Sequence, residues 1–391
     1  MKKLISGKYM RLWLFLVALS RCALAQVVPV SNVEELYSEV NSPSNAGATL
    51  VLAPGTYMLS TTDAHGASRP NAGRIEFQPD MTIMGVEGDR SQVVIDASGL
   101  PATSFPQTMN GVPSGTNAAV RMGRGHNALE WLTVVNAVHG QANIDAGLSP
   151  TDPSGASVVV AHVASTGSTR GLNVTANDSQ WVNKTVEADI TDNYFFNNAM
   201  EGVRTGTLPG AQGATVNVRM SGNLSWGQRI GWVLEHLVNS DSTINALATG
   251  NRFYSNAIGL IILGAEGNSN GNTVNLELHG DQITDNNTRT APRDAGGLIV
   301  VAAENAGADF GNNTVNVSLW GCRMLDNSDT DLKAIASRSN PPSVATLSPN
   351  NHITIEIHGD GNGNGKWQPV EFFADVVPSG PTYGNSVTVI Q

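Results

Sequence analysis

From Lys184 to the C-terminus the chain repeats a short alternation of apolar and polar residues. Six segments follow the form Thr-Val-Asn-apolar-x-apolar-x-Gly-Asn or a close variant: 184–193 (KTVEADITDN), 214–223 (ATVNVRMSGN), 242–251 (STINALATGN), 272–281 (NTVNLELHGD), 313–322 (NTVNVSLWGC) and 351–360 (NHITIEIHGD). A seventh begins at Asn385 (NSVTVI). A period of two is the signature of a strand, because successive side chains leave opposite faces. Equivalent positions recur at intervals of 28 to 41 residues, so a constant core carries loops of varying length. Between the segments lies Gly-apolar-x-apolar, at Gly171, Gly202, Gly231, Gly259 and Gly297, joined by an Asn-x-apolar-x-x-Asn step as at 193–198 and 251–256. Each repeat therefore holds about three short strands and three turns, with no room for a crossover helix. Strands repeated in this way stack directly on their neighbours as a solenoid.

The region before the repeats fits the same plan. Ser31-x-x-Glu34 reads as a capping box, and Val33, Leu36, Tyr37 and Val40 share one helical face. A short amphipathic helix there would close the N-terminal end of the solenoid. Segments 48–57, 81–86, 93–96 and 129–137 read as first coils, so cap and first coils span 31–137 and repeat coils 156–391. Segments 101–117 and 141–154 read as loops from their Pro, Gly and Ser content. Residues 1–25 read as a secretory signal: a basic start (Lys2, Lys3, Lys8, Arg11), an apolar run at 12–19, and Ala23-Leu24-Ala25 before Gln26. Residues 26–391 then form one secreted β-helix domain, periplasmic or extracellular.

The Gly-Asn-x-apolar-x-x-Asn and Gly-apolar-x-apolar rhythm resembles the right-handed parallel β-helix of the pectin-lyase-like superfold, from about Thr49 to the end of the chain. The resemblance implies an all-β fold, a single-stranded right-handed parallel β-helix with a short N-terminal capping helix. It also implies a polysaccharide as partner and, if the protein is an enzyme, a polysaccharide lyase or glycoside hydrolase. The polygalacturonase motifs Asn-Thr-Asp, Asp-Asp, Gly-His-Gly and Arg-Ile-Lys are absent, and Arg204, Arg229, Arg289 and Arg293 stand in no lyase motif. The resemblance thus carries fold further than chemistry.

Charge narrows the partners. The chain holds 22 Lys and Arg against 33 Asp and Glu, a formal charge of −11, and phosphate backbones need the opposite sign. Nucleic acid is thereby disfavoured. After the signal no apolar run is long enough for a membrane helix. Of the two cysteines, Cys22 leaves with the signal, so Cys322 has no intramolecular partner.

With Val216, Val218 and Met220 pointing inward, the alternation sets three outward columns on the repeat strand. These are Glu187, Asn217, Asn245, Asn275, Asn316 and Thr354; Asp189, Arg219, Leu247, Glu277, Ser318 and Glu356; and Thr191, Ser221, Thr249, His279, Trp320 and His358. Glu277 and Glu356 are the candidate acid/base pair. Two rungs separate them, on the order of 9–10 Å, near the ~6.5–9.5 Å of inverting glycoside hydrolysis. Trp320 would supply a stacking platform for a sugar, with His279 and His358 beside it. The following strand carries a mostly apolar outward stripe, from Val233 to Ile335, which a loop would cover or a second chain would use. A non-catalytic surface or adhesive protein that self-associates through this stripe is the alternative function. Residues 360–371 (DGNGNGKWQPVE) match D-x-N-x-N-G-x5-E, so Asp360, Asn362, Asn364 and Glu371 are candidate ligands for Ca2+; an ion pair of Glu371 with Lys333 is the competing reading. Glu266 and Glu304 end equivalent strands, where stacking would raise one carboxyl pKa. His139, Asp145 and Asp152 are placed in a loop that could line a groove.

Overall fold

The structure is a computed structural model. It describes residues 26–101, 118–137, 142–147, 156–176, 182–287, 295–304, 310–328, 330–338, 348–359 and 384–391, and the backbone alone of Val370–Val376. The strands form three sheets of twelve, ten and nine members, and every neighbouring pair within them is parallel. The chain visits the three in turn. One rung consists of Thr215–Ser221 in the 12-stranded sheet, Leu224–Trp226 in the nine-stranded sheet and Ile230–Leu237 in the 10-stranded sheet; Thr243–Thr249 then starts the next. This is a right-handed parallel β-helix, as the repeat and the resemblance imply.

The period-two alternation produces the burial it predicts. Val216, Val218 and Met220 are buried while Arg219 between them is exposed. Inside the tube, apolar side chains of successive rungs pile into one continuous core that includes Phe195, Trp232 and Phe253. From the strand Gly125–Glu130 to the strand His352–His358, the corner after each strand of the 12-stranded sheet is left-handed, and Gly222 (φ 66°) and Gly250 (φ 65°) suit it because they lack a Cβ.

The asparagines inside the corners are the second structural device. Asn193, Asn223 and Asn251 are fully buried. Asn223 Nδ2 donates to Asn251 Oδ1 at 2.8 Å and to the Ile190 carbonyl at 2.8 Å, and its Oδ1 accepts from the amide and Nδ2 of Asn193, each at 2.9 Å. Asp281 ends the run, accepting from Asn251 Nδ2 at 2.7 Å. On the next rung Cys322 takes the place, its thiol donating to the Leu278 carbonyl at 3.3 Å. Burial pushes the Cys322 pKa to about 11 and that of Asp281 to about 6.

Three expectations change. The helix Val33–Val40 buries Leu36, Tyr37 and Val40 as predicted, but its cap is Asn32, whose side chain accepts from the Glu35 amide at 3.0 Å, while the Ser31 amide donates to Glu35. The capping box lies one residue later than read. A strand precedes the helix, Val27–Val30, pairing with Thr49–Leu52. Ile144–Asp145, read as loop, is a strand of the 10-stranded sheet, so Asp145 is buried rather than solvated. His139 and Asp152 lie outside the described residues, as do residues 1–25.

The apolar stripe is real, and the single chain covers it. Ile230, Val233, Ile258, Ile261, Leu263, Ile299 and Val301 form a second cluster, none more than 9% exposed. Strands apolar on both faces are covered on both faces. This burial exists within one chain, among the described residues.

Candidate functional site

The strand register places every residue of the three outward columns as the alternation predicts. Glu277 pairs with Ser318, and Ser318 with Glu356; His279 pairs with Trp320, and Trp320 with His358. No slip occurs across the long insertions. Two carboxylate–imidazole pairs result, each two residues apart on one strand. His279 Nε2 lies 3.3 Å from Glu277 Oε2, and His358 Nε2 lies 3.4 Å from Glu356 Oε2. All four side chains are exposed or nearly so.

Trp320 sits between the imidazoles as expected, with a consequence for its use. Its ring is parallel to His358 at 3.6 Å between centroids and to His279 at 5.8 Å. Both indole faces point along the solenoid axis toward another ring, although Trp320 is 43% exposed. Stacking of a sugar on a Trp320 face would require an imidazole to move.

The asparagine column beside them is a hydrogen-bonded ladder. Asn217 Nδ2 donates to Glu187 at 2.6 Å, Asn245 to Asn217 at 2.8 Å, Asn275 to Asn245 at 2.8 Å and Asn316 to Asn275 at 2.9 Å. Each amide keeps one N–H and one lone pair for a ligand. The face forms a groove of about 600 Å3 lined by Glu187, Asn217, Arg219, Asn245, Leu247, Asn275 and Glu277. Arg219 reaches Asp189 at 3.4 Å, both exposed. Glu277 thus lines the groove, while Trp320, Glu356 and His358 continue the same face one and two rungs further on.

A different constellation emerges on the 10-stranded sheet. The register aligns Glu76, Arg121, Asp145, Asn173 and Arg204 in one outward column, after which it becomes apolar at Val233. All five are buried. Arg170 and Glu201 pair beside them at 2.5 Å, and Arg204 pairs with Glu235. Among the described residues, Asn173 Oδ1 and Thr175 Oγ1 have no hydrogen-bond partner. Burial raises the pKa of Glu76 and Glu201 despite nearby guanidinium groups. At the far end of these strands Glu266 bridges to Glu304 and Glu304 to Arg338, with Arg338 Nη2 2.8 Å from Glu304 Oε2. Burial, then the charges of Glu235 and Glu304, push Glu266 up to about 7. Stacking of Glu266 on Glu304 was legible in the sequence; the column from Glu76 to Arg204 was not. Its members lie in strands of two to seven residues with irregular spacing, and only register brings them together. Glu235 and His236, adjacent in sequence, face opposite ways: His236 is inside, its pKa lowered by burial to about 4.

Of the calcium loop, Asp360, Asn362 and Asn364 lie outside the described residues. Glu371 is described as backbone only, paired in register with Lys333. Among the described residues no group of three or more His, Cys, Asp or Glu side chains is placed to hold a metal ion.

Three parallel sheets and one capping helix give the described residues a parallel β-helix architecture. No protein-family model and no curated protein sequence matches it. Among solved structures, the Azotobacter vinelandii mannuronan C-5 epimerase AlgE4 A-module is similar, with 13% identity, 93% of this chain and 98% of that one covered, and a TM-score of 0.45. Pectate lyase Pel9A shows 13% identity, 78% coverage of each chain and a TM-score of 0.35. The Streptococcus pneumoniae surface protein and adhesin PfbA shows 9% identity, 92% and 96% coverage and a TM-score of 0.26. No helix of the described residues is long and apolar enough to cross a membrane.

Proposed function

We propose that this protein is a secreted β-helix that binds a polysaccharide along the outer face of its 12-stranded sheet. The observation that carries the reading is the open groove of about 600 Å3, floored by the asparagine ladder and bounded by Glu187 and Glu277. Its volume lies in the range of ligand sites. Its polar columns repeat every ~4.8 Å, comparable to one sugar unit. An acidic chain favours a neutral polymer over a polyanion, unless calcium held at 360–371 bridges the two.

Hydrolysis by Glu277 and Glu356 fits their separation of two rungs. It lacks a difference of environment between them: each carboxylate is solvated and faces one imidazole. Acid and base roles require surroundings that drive the two pKa values apart. Binding is therefore the stronger reading of this face. If the protein also processes its ligand, the buried row of the 10-stranded sheet is the better place, because the orphaned Asn173 and Thr175 oxygens and the raised Glu201 and Glu266 lie there.

The test is residues 26–391 against a panel of neutral and acidic polysaccharides, with and without calcium. Binding is followed by calorimetry, and cleavage by new reducing ends together with the absorbance of unsaturated uronates. Binding weakened at least tenfold in Asn275→Ala with Glu277→Gln supports the groove. Binding unaffected by both substitutions removes it. Cleavage abolished by Glu277→Gln but not by Arg204→Lys would restore the hydrolytic pair.

A further inference from the structure

The left-handed corner after the 12-stranded sheet is filled by glycine in its later rungs, as at Gly222, Gly250 and Gly280. Two early rungs place rings there instead: Trp131 (φ 57°) and His162 (φ 55°). A bulky side chain in this conformation is strained, and strain held in place by its surroundings is a pointer to function. The indole and imidazole stack at 3.8 Å with 13° between their planes. Behind them, His162 Nδ1 lies 3.8 Å from the Asp192 carboxylate. Arg90 locks this backbone, donating to the Asp192 carbonyl at 2.6 Å while its guanidinium covers Tyr194 at 3.9 Å.

The other face of Trp131 looks toward the preceding rung, where the corner residue is Gly85. A Cβ at Gly85 would come within 2.1 Å of the Trp131 carbonyl oxygen, so that position must stay bare. No side chain from that corner can cover the indole. Trp131 is thus backed on one face and uncovered by its rung neighbour on the other, which Trp320, ringed on both sides, is not.

We propose that Trp131 is a stacking platform for a neutral pyranose ring, held rigid by His162 and Asp192, at the N-terminal end of the face that carries the groove. This rests on the reading of the protein as a polysaccharide binder. Glu130, on the adjoining strand end, and Asp192 supply carboxylate acceptors for sugar hydroxyls, and these same charges disfavour a uronate. Six rungs, roughly 29 Å, separate Trp131 from Trp320, so one long chain could touch both ends of the face.

The deciding substitution is Trp131→Gly, which installs the residue that later rungs use. Binding of neutral hexasaccharides (glucan, mannan and xylan series) is measured by calorimetry, with a uronate hexasaccharide as control. The expected result is at least a tenfold weaker affinity in Trp131→Gly, partial recovery in Trp131→Phe, and a thermal midpoint equal to or above that of the unsubstituted protein. An affinity within twofold, or a midpoint several degrees lower, overturns the platform and leaves a structural ring. Binding that survives Trp131→Gly but is lost in Asn275→Ala with Glu277→Gln overturns this inference alone. Binding lost only in Trp131→Gly supports it and overturns the groove. No binding of any hexasaccharide or polymer overturns both.

Discussion

Asn223→Ala tests whether the internal asparagines hold the coil together. The side chain is fully buried and makes four hydrogen bonds of 2.8 to 2.9 Å. Truncation orphans the Asn193 amide and one of the two N–H groups of Asn193 Nδ2, the other still donating to the Val160 carbonyl, and removes a partner from the Ile190 carbonyl. Each buried group left unpaired costs about 1–3 kcal/mol, so the substitution should destabilise by about 3–5 kcal/mol. At ~2–4 °C per kcal/mol for a domain of this class the midpoint falls by roughly 10 °C. Asn245→Ala is the control. It also breaks two side-chain bonds of 2.8 Å, but on the exposed ladder, where water replaces them. Its cost should stay within about 1 kcal/mol. Thermal and urea unfolding of both variants supply the comparison. Equal effects would refute the reasoning, because the argument depends on burial and not on the number of bonds.

Other consequences can be checked alongside. Asp281 titrates near 6 in the folded protein against an ordinary 3.8, so the folded state prefers the protonated form. Its contribution to stability is present below pH ~4 and is lost as pH rises to about 6, by about 3 kcal/mol. The midpoint of Asp281→Asn relative to the unsubstituted protein should therefore be near zero at pH 3.5 and rise to a plateau above pH 6; a flat difference refutes the shift. His236 works in the opposite sense: lowered to about 4 from 6.5, it stabilises above pH ~6.5 and loses that contribution as pH falls toward 4. Its tautomer follows from its partners, with Nε2–H donating to the Thr273 carbonyl at 3.1 Å and Nδ1 accepting from Thr207. His236→Gln should flatten the acid limb of a midpoint-against-pH curve, and an unchanged slope would count against it. Arg90→Ala should cost about 1–3 kcal/mol, with hydrogen exchange accelerated at the corners around Val163 and Asp192 and unchanged near Asn313.

Much of the candidate site on the 12-stranded sheet was legible because the alternation has a fixed period and each segment carries its own Asn and Gly markers. Glu277, Ser318 and Glu356 could be placed in one column, and Trp320 between two histidines, by counting from the Asn of each segment. Ring orientation was not legible. Whether an indole offers a face or an edge depends on how neighbouring rungs stack, and here Trp320 is ringed while Trp131 faces a glycine. The early coils were read less well, since Ile144–Asp145 has too few residues to show a period.

What the sequence determined by itself is the coil: strand alternation, left-handed corners and buried amides are local rules repeated seven times, and a solenoid is their only consistent sum. Tertiary structure decided which outward residues meet solvent. Glu277 and Arg204 obey the same alternation on their strands, yet one is exposed and the other is buried against Glu235. That difference depends on contacts between rungs, such as that of Arg204 with Glu235, and no periodicity within a strand encodes it.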